Sequence, residues 1–258
     1  MPKDSKKSNW RCGAVGLLWA CVAASATAAP VNIYVGHGQM PFAGGTEQAP
    51  GLFGELSEQL CARLQLECLF RSVPWRRVQH EAAADPSGLV LNLGRFPERE
   101  DKFIWLVDVL STRYCVASLG RPFDTLADAL ASGPVAVMSG TPRAQELRAQ
   151  LREGQQIVEV ADPEQGAELL NSGRVVAWYE IELRARYLWR RLGYSQTLTM
   201  GRPIGQLDSY IAGNTQLNGG QALQQRMADA FVEMQRDGSW RRILVEYLGE
   251  EDAVRLLR

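Results

Sequence analysis

The apolar positions fall into two rhythms. Val31 to Val35, Leu66 to Phe70, Leu89 to Leu93, Pro134 to Met138, Ile157 to Val160 and Arg174 to Trp178 are short apolar runs that read as strands. Between them the spacing becomes helical. Leu52, Leu56, Leu60 and Leu64 line one face of a helix, and Ser72-Val73-Pro74-Trp75 starts the next. Asp124 or Thr125 caps a short helix ending at Gly133. Thr141 as N-cap with Pro142 at the first helical position opens another. Asp162-Pro163 caps a helix that stops at Gly173, and Glu180 to Leu192 forms one ended by Gly193. Near the end, Leu223, Met227, Ala230, Phe231 and Met234 make one stripe, Asp237-Gly238 interrupts it, and Trp240, Ile243, Leu244 and Tyr247 make another. Strand–helix alternation with short turns predicts an α/β protein with a parallel-type sheet. Asp108 to Leu119 and Leu207 to Gly213 depart from the alternation and read as two crossover strands, with Arg121-Pro122-Phe123 as the exit into a second unit.

The N-terminus changes the picture of where the chain works. Lys3, Lys6, Lys7 and Arg11 precede an apolar stretch from Cys12 to Ala24 that is short for a membrane span. Ala26-Thr27-Ala28 then supplies a cleavage site, so residues 1–29 read as a secretory signal peptide and the mature chain as periplasmic. Leu18-Trp19-Ala20-Cys21 resembles a lipoprotein box, although Trp19 before the Ala disfavours acylation of Cys21. Removing the signal takes away four basic residues and Asp4, moving the formal net charge from −1 to −4. Nothing in this balance points to nucleic acid. Export permits a disulfide among Cys61, Cys68 and Cys115, although three buried thiols are the alternative.

The candidate chemistry centres on Leu89 to Trp105. A buried apolar strand, Leu89-Val90-Leu91, runs through Asn92 to Gly94; Pro97 stops it, and Glu98-Arg99-Glu100 leads into Phe103, Ile104 and Trp105. An arginine just beyond the carboxyl end of a buried strand stands where open α/β sheets bind ligands, and its planar fork matches a carboxylate. Spacing alone leaves a second option, an exposed Arg99 paired with Glu98, Glu100 or Asp101.

This segment resembles the motif of the family-3 periplasmic solute-binding proteins, the substrate-binding type of polar amino-acid ABC transporters, in Pro97-Glu98-Arg99, Phe103 and Trp105. Phe96 replaces the motif's Thr. The resemblance extends to Gly51-Leu52-Phe53-Gly54-Glu55-Leu56 and to the tail Asp237-Gly238-Ser239-Trp240, Ile243 and Tyr247-Leu248-Gly249, nearly all of the mature chain. It implies a two-lobe, type II venus-flytrap fold with residues 30–118 plus 212–258 in lobe 1 and 119–211 in lobe 2. It implies that Arg99 holds a ligand carboxylate shared with the turn at Gly140 and Thr141, and that Phe42 and Trp75 stand over the ligand. Asn92 lies beside this motif, and Glu180 or Glu182 is the candidate acid for an ammonium group. A Cys61–Cys68 disulfide is implied in the same way, leaving Cys115 free.

The expected function is therefore capture of a small carboxylate-bearing solute, an amino acid or a relative, for ABC-type import. The expected chain is a monomer that uses no cofactor or metal, with an inner-membrane permease as candidate partner. Leu91 and Gly94 stand where the family often has Ser, so the pocket should be more apolar and aromatic, with Trp178 or Tyr179 as further candidate walls. Catalysis has little support: His37 and His80 are the two histidines, and no HExxH or G-x-S-x-G pattern occurs. A dehydratase-like enzyme of the same fold, with His37 or Glu180 as general acid, is the alternative, alongside a sensor input module.

Overall fold

The structure, a computed structural model, describes residues 30–44 and 50–257. The signal segment, Cys21 and most of the turn-rich stretch from Gly44 to Gly51 lie outside those residues. In chain order the elements are β1 (Val31–Gly36), α1 (Gly51–Leu64), β2 (Cys68–Val73), α2 (Trp75–Ala84), β3 (Gly88–Gly94), a 3-10 turn at Pro97–Arg99, and β4 (Phe103–Leu119). There follow α3 (Leu126–Ser132), β5 (Val135–Met138), α4 (Pro142–Ala149), β6 (Ile157–Val160), α5 (Pro163–Asn171), β7 (Ala177–Ile181) and α6 (Glu182–Arg191). The chain ends with β8 (Leu198–Met200), β9 (Gly205–Asn214), α7 (Gly220–Arg236), α8 (Ser239–Leu248) and α9 (Glu250–Leu256).

The strands form one sheet in the order β2-β1-β3-β9-β4-β7-β5-β6, with β8 added to β4. Each flank is parallel: β1 pairs with β2 and β3, and β5 with β6 and β7. The two central strands are antiparallel to each other, and each is antiparallel to the flank strand it pairs with, β9 to β3 and β4 to β7. Along β4, Phe103 to Tyr114 pairs with β9, and Tyr114 to Ser118 pairs with β7. A single strand thus belongs to both halves, giving a two-lobe α/β fold. The carboxyl ends of β1, β3, β5 and β7 converge between the lobes, where such sheets bind ligands.

Local rules account for most of the elements. Leu52, Leu56 and Leu60 are fully buried, and the stripe holds α1 against the first half of the sheet. The β3 strand is buried along its whole length because sheet neighbours flank it and helices cover its faces. Thr125, Thr141 and Asp162 each accept a hydrogen bond from the first turn of the following helix.

Several boundaries differ from the sequence expectation. The strand expected at Arg174 to Trp178 lies three residues on, at Ala177–Ile181, so Glu180 ends a strand instead of starting a helix. Glu180 is tolerated there because Arg184, one helical turn on, and Arg143, brought in from α4, neutralise it. The second strand is Cys68–Val73 where Leu66 to Phe70 was expected, and β4 starts at Phe103 where the crossover was expected from Asp108. Two short elements, β8 and α9, carry too few residues to show a period.

Cys61 and Cys68 form a disulfide, joining the end of α1 to β2, and Cys115 is a buried free thiol whose pKa burial raises to about 11. Closing so short a loop restricts the unfolded chain, so Cys61→Ser with Cys68→Ser is expected to cost about 2–3 kcal/mol of stability. Urea unfolding with and without reductant checks this: the wild type should fall to the level of the double variant on reduction.

A charge network ties α6 to α9. Glu182 Oε1 accepts hydrogen bonds from Arg255 at 2.6 Å and Arg186 at 3.1 Å. Burial alone would raise the Glu182 carboxyl, but the Arg255 hydrogen bond and the surrounding guanidiniums outweigh it and hold the pKa below 4.5. A carboxyl with a depressed folded pKa binds fewer protons folded than unfolded, so its contribution is complete above 4.5 and fades as pH falls through the folded value. The stability advantage of wild type over Glu182→Gln should therefore be full at neutral pH and shrink on acidification below 4.5, read as melting temperature against pH.

Candidate functional site

Arg99 takes its place from the end of β3. After Gly94 the chain runs extended to Phe96, and Pro97 opens a single 3-10 turn whose last residue is Arg99. The guanidinium donates to the Gly94 carbonyl at 2.7 Å and lies 5.1 Å from the Phe96 ring centroid. Burial pulls its pKa below the ordinary arginine value, and it makes no ion pair among the described residues. Glu98 acts on it through charge alone, without an ion pair, and Glu100 is taken by another arginine, receiving Arg95 through two bonds of 2.7 and 2.8 Å. Arg99 is thus half-buried at the cleft, and the exposed alternative is set aside.

A bulge brings Asn92 to the same place. Between Val90 and Leu93 the register of β3 against β9 shifts, and Asn92 adopts φ +55° while buried. A left-handed non-glycine residue inside a strand is a strained conformation of a kind found at binding sites. Trp75, at the start of α2, forms another part of the lining. It stands over Gly36, where a β-carbon would come within 2.7 Å of the indole, so glycine at the end of β1 makes room for the ring.

The second lobe contributes the turn from β5 into α4. Gly140 has φ +71°, which redirects the chain so that Thr141 caps α4. The Thr141 hydroxyl donates to Met138 O at 2.7 Å and accepts from Ala144 N at 3.3 Å. Arg143, in the first turn of α4, and Arg184, in α6, reach the cleft as well. Between them Glu180 Oε1 forms ion pairs with Arg143 at 2.8 Å and Arg184 at 3.4 Å, and Arg184 donates across to Gln39 of the first lobe at 2.9 Å. Glu180 is 0% exposed, Arg143 4% and Arg184 2%. Burial lowers the Arg184 pKa, with Glu180 opposing.

The cleft so formed holds ≈ 50 Å³ open to the centres of water molecules, enough for several waters or a small solute. Of the residues singled out in the sequence, Trp75, Asn92, Arg99 and Thr141 line it. Gly140 shapes the turn beside it, while Phe42 and Glu180 lie behind the lining, Phe42 beneath the Arg184 guanidinium at 5.1 Å. Trp178 and Tyr179 are fully buried and form no wall; the Tyr179 hydroxyl donates to Glu146. His37 and His80 are exposed and off the cleft. Arg143, Arg184, Gln39 and Tyr114 are lining residues that the sequence reading missed. No group of three or more His, Cys, Asp and Glu side chains gathers for a metal among the described residues.

Neither the protein-family models nor the curated proteins include a match to this chain. Solved structures do match. A histidine kinase sensor domain with similarity to periplasmic binding proteins aligns with TM-score 0.73 at 14% identity, covering 86% of this chain and 97% of that one. An ABC uptake transporter substrate-binding protein from Streptococcus pneumoniae with bound histidine gives TM-score 0.72 at 12% identity, covering 86% and 93%. The GluR0 ligand-binding core from Nostoc punctiforme in complex with L-glutamate gives TM-score 0.71 at 13% identity, covering 86% and 100%. The chain therefore has the two-lobe fold of the periplasmic binding proteins.

Proposed function

We propose that this protein is a periplasmic solute-binding protein that closes its two lobes on a small carboxylate-bearing solute and delivers it to an inner-membrane ABC permease. The observation that carries the reading is Arg99, a half-buried guanidinium at the cleft whose pKa burial lowers and which makes no ion pair among the described residues. A desolvated cation without a counter-ion is costly, and a carboxylate supplies the missing partner in bidentate geometry. The positive end of α4 beside Thr141 adds attraction from the other lobe. Closure would bend β4 near Tyr114 to Leu119 and β9 near Leu207 to Gly213, with lobes of residues 30–118 plus 212–258 and 119–211.

The sensor domain among the structural neighbours supports a second reading, in which the same closure signals to a partner instead of loading a permease. An enzymatic reading is less well supported: no His, Asp or Glu lines the cleft, and Glu180 is engaged by two arginines. Native mass spectrometry of freshly purified protein tests the proposal. A co-purified small acid that leaves unchanged on prolonged incubation is the expected result. A bound solute lacking any carboxylate rejects the reading, and chemical turnover of the bound acid replaces it with the enzymatic one.

A further inference from the structure

We infer that the solute carries two carboxylates and no ammonium group, an inference that rests on the carboxylate-binding reading above and narrows it. Three arginines line the cleft, Arg99, Arg143 and Arg184, and no acidic residue does. The carboxylate of Glu180 behind them is shared by Arg143 and Arg184 through the one oxygen Oε1. Glu98 and Asp162 act on Arg99 and Arg184 at longer range, without an ion pair among the described residues, so the lining itself remains positive. The Nε atoms of Arg143 and Arg184 and the Oε2 atom of Glu180 are buried without a hydrogen-bond partner among the described residues, so this group keeps unmet polar capacity behind the lining.

The arginines enter from opposite sides. Arg99 comes from the turn after β3 in the first lobe, and Arg143 and Arg184 come from α4 and α6 in the second. A solute with an acid at each end is clamped by both lobes and neutralises the cleft. An α-amino acid places an ammonium group among guanidiniums with no lining acid to receive it, which costs both repulsion and desolvation. The cleft leaves ≈ 50 Å³ open to the centres of water molecules, room for a short spacer between the acids and not for a long chain. A single-centre dianion such as sulfate reaches one side only.

Calorimetric titration of the full protein, stripped of ligand by unfolding and refolding, tests this with succinate, glutarate, their monomethyl esters, propionate, L-glutamate and sulfate. At least one dicarboxylate is expected to bind about 100-fold more tightly than its own monomethyl ester, because the ester leaves one arginine side unpaired. L-Glutamate is expected to bind at least about 10-fold more weakly than glutarate. Arg143→Gln should bring dicarboxylate affinity down toward that of the monomethyl ester on the wild type. The ester comparison stands on the wild type even if this variant does not fold. Ester and diacid binding alike, glutamate matching glutarate, or sulfate exceeding both overturns the inference while a carboxylate site survives. Failure of every carboxylate in the panel overturns the carboxylate-binding reading as well.

Discussion

Glu180→Gln will destabilise the folded protein by about 3–5 kcal/mol, the cost of stranding buried charge without its counter-ion. The Glu180 carboxylate is fully buried, and its Oε1 holds the guanidiniums of Arg143 at 2.8 Å and Arg184 at 3.4 Å. It also accepts from the Ile181 amide at 2.7 Å. Glutamine preserves the shape and one oxygen but removes the negative charge, leaving two guanidiniums that are 4% and 2% exposed to repel each other. The ion triad itself need not stabilise the fold relative to an apolar packing, since desolvation offsets much of the attraction. The damage comes from breaking it on one side. Urea unfolding of wild type and variant measures the difference. A loss below about 1 kcal/mol would mean that water in the cleft solvates the arginines well enough to replace the carboxylate.

Arg99→Ala has the opposite profile. It should weaken binding of the carboxylate solute by about 2–5 kcal/mol, a rise in Kd of roughly 30-fold to several thousandfold, and leave the fold intact. The side chain makes one hydrogen bond, to Gly94 O, and stacks on Phe96. Against that small loss stands relief of the burial that pulls its pKa down, so stability should change by less than about 1 kcal/mol. Calorimetric titration with the co-purified ligand, beside a thermal melt without ligand, reads both quantities. An unchanged Kd would remove Arg99 from the site. A large fall in melting temperature would assign it a structural role instead.

The two variants divide the site into what the sequence reveals and what it hides. Arg99 is legible in part: a buried strand, a proline stop and an arginine in succession put it just past a strand's carboxyl end, but spacing alone leaves an exposed arginine open, and the resemblance of Pro97-Glu98-Arg99 to a family motif is what favours the cleft. Thr141 is legible as a cap followed by proline. Arg143 and Arg184 gave no such signal. Each lies in a helix among other charged residues and reads as a solvated face, yet both are buried around Glu180. The same contact accounts for the strand ending at Ile181, three residues beyond the expected one: a carboxylate inside a strand contradicts local preference until Arg143, brought in from another element, is known.

The amphipathic stripe of Leu52, Leu56 and Leu60, the apolar run of β3 and the caps at Thr125, Thr141 and Asp162 set the elements and their order from local periodicity alone, and with them the α/β class. The tertiary structure alone decided the electrostatics of the cleft. Charge pairing and hydrogen bonding there join groups brought together across the fold: Glu180 meets Arg143 of another element, Arg184 meets Gln39 at a separation of 145 residues, and no short window along the chain contains these pairings. Burial then makes the pairing matter, because a guanidinium that water would screen on a helix surface must find a carboxylate once it is enclosed.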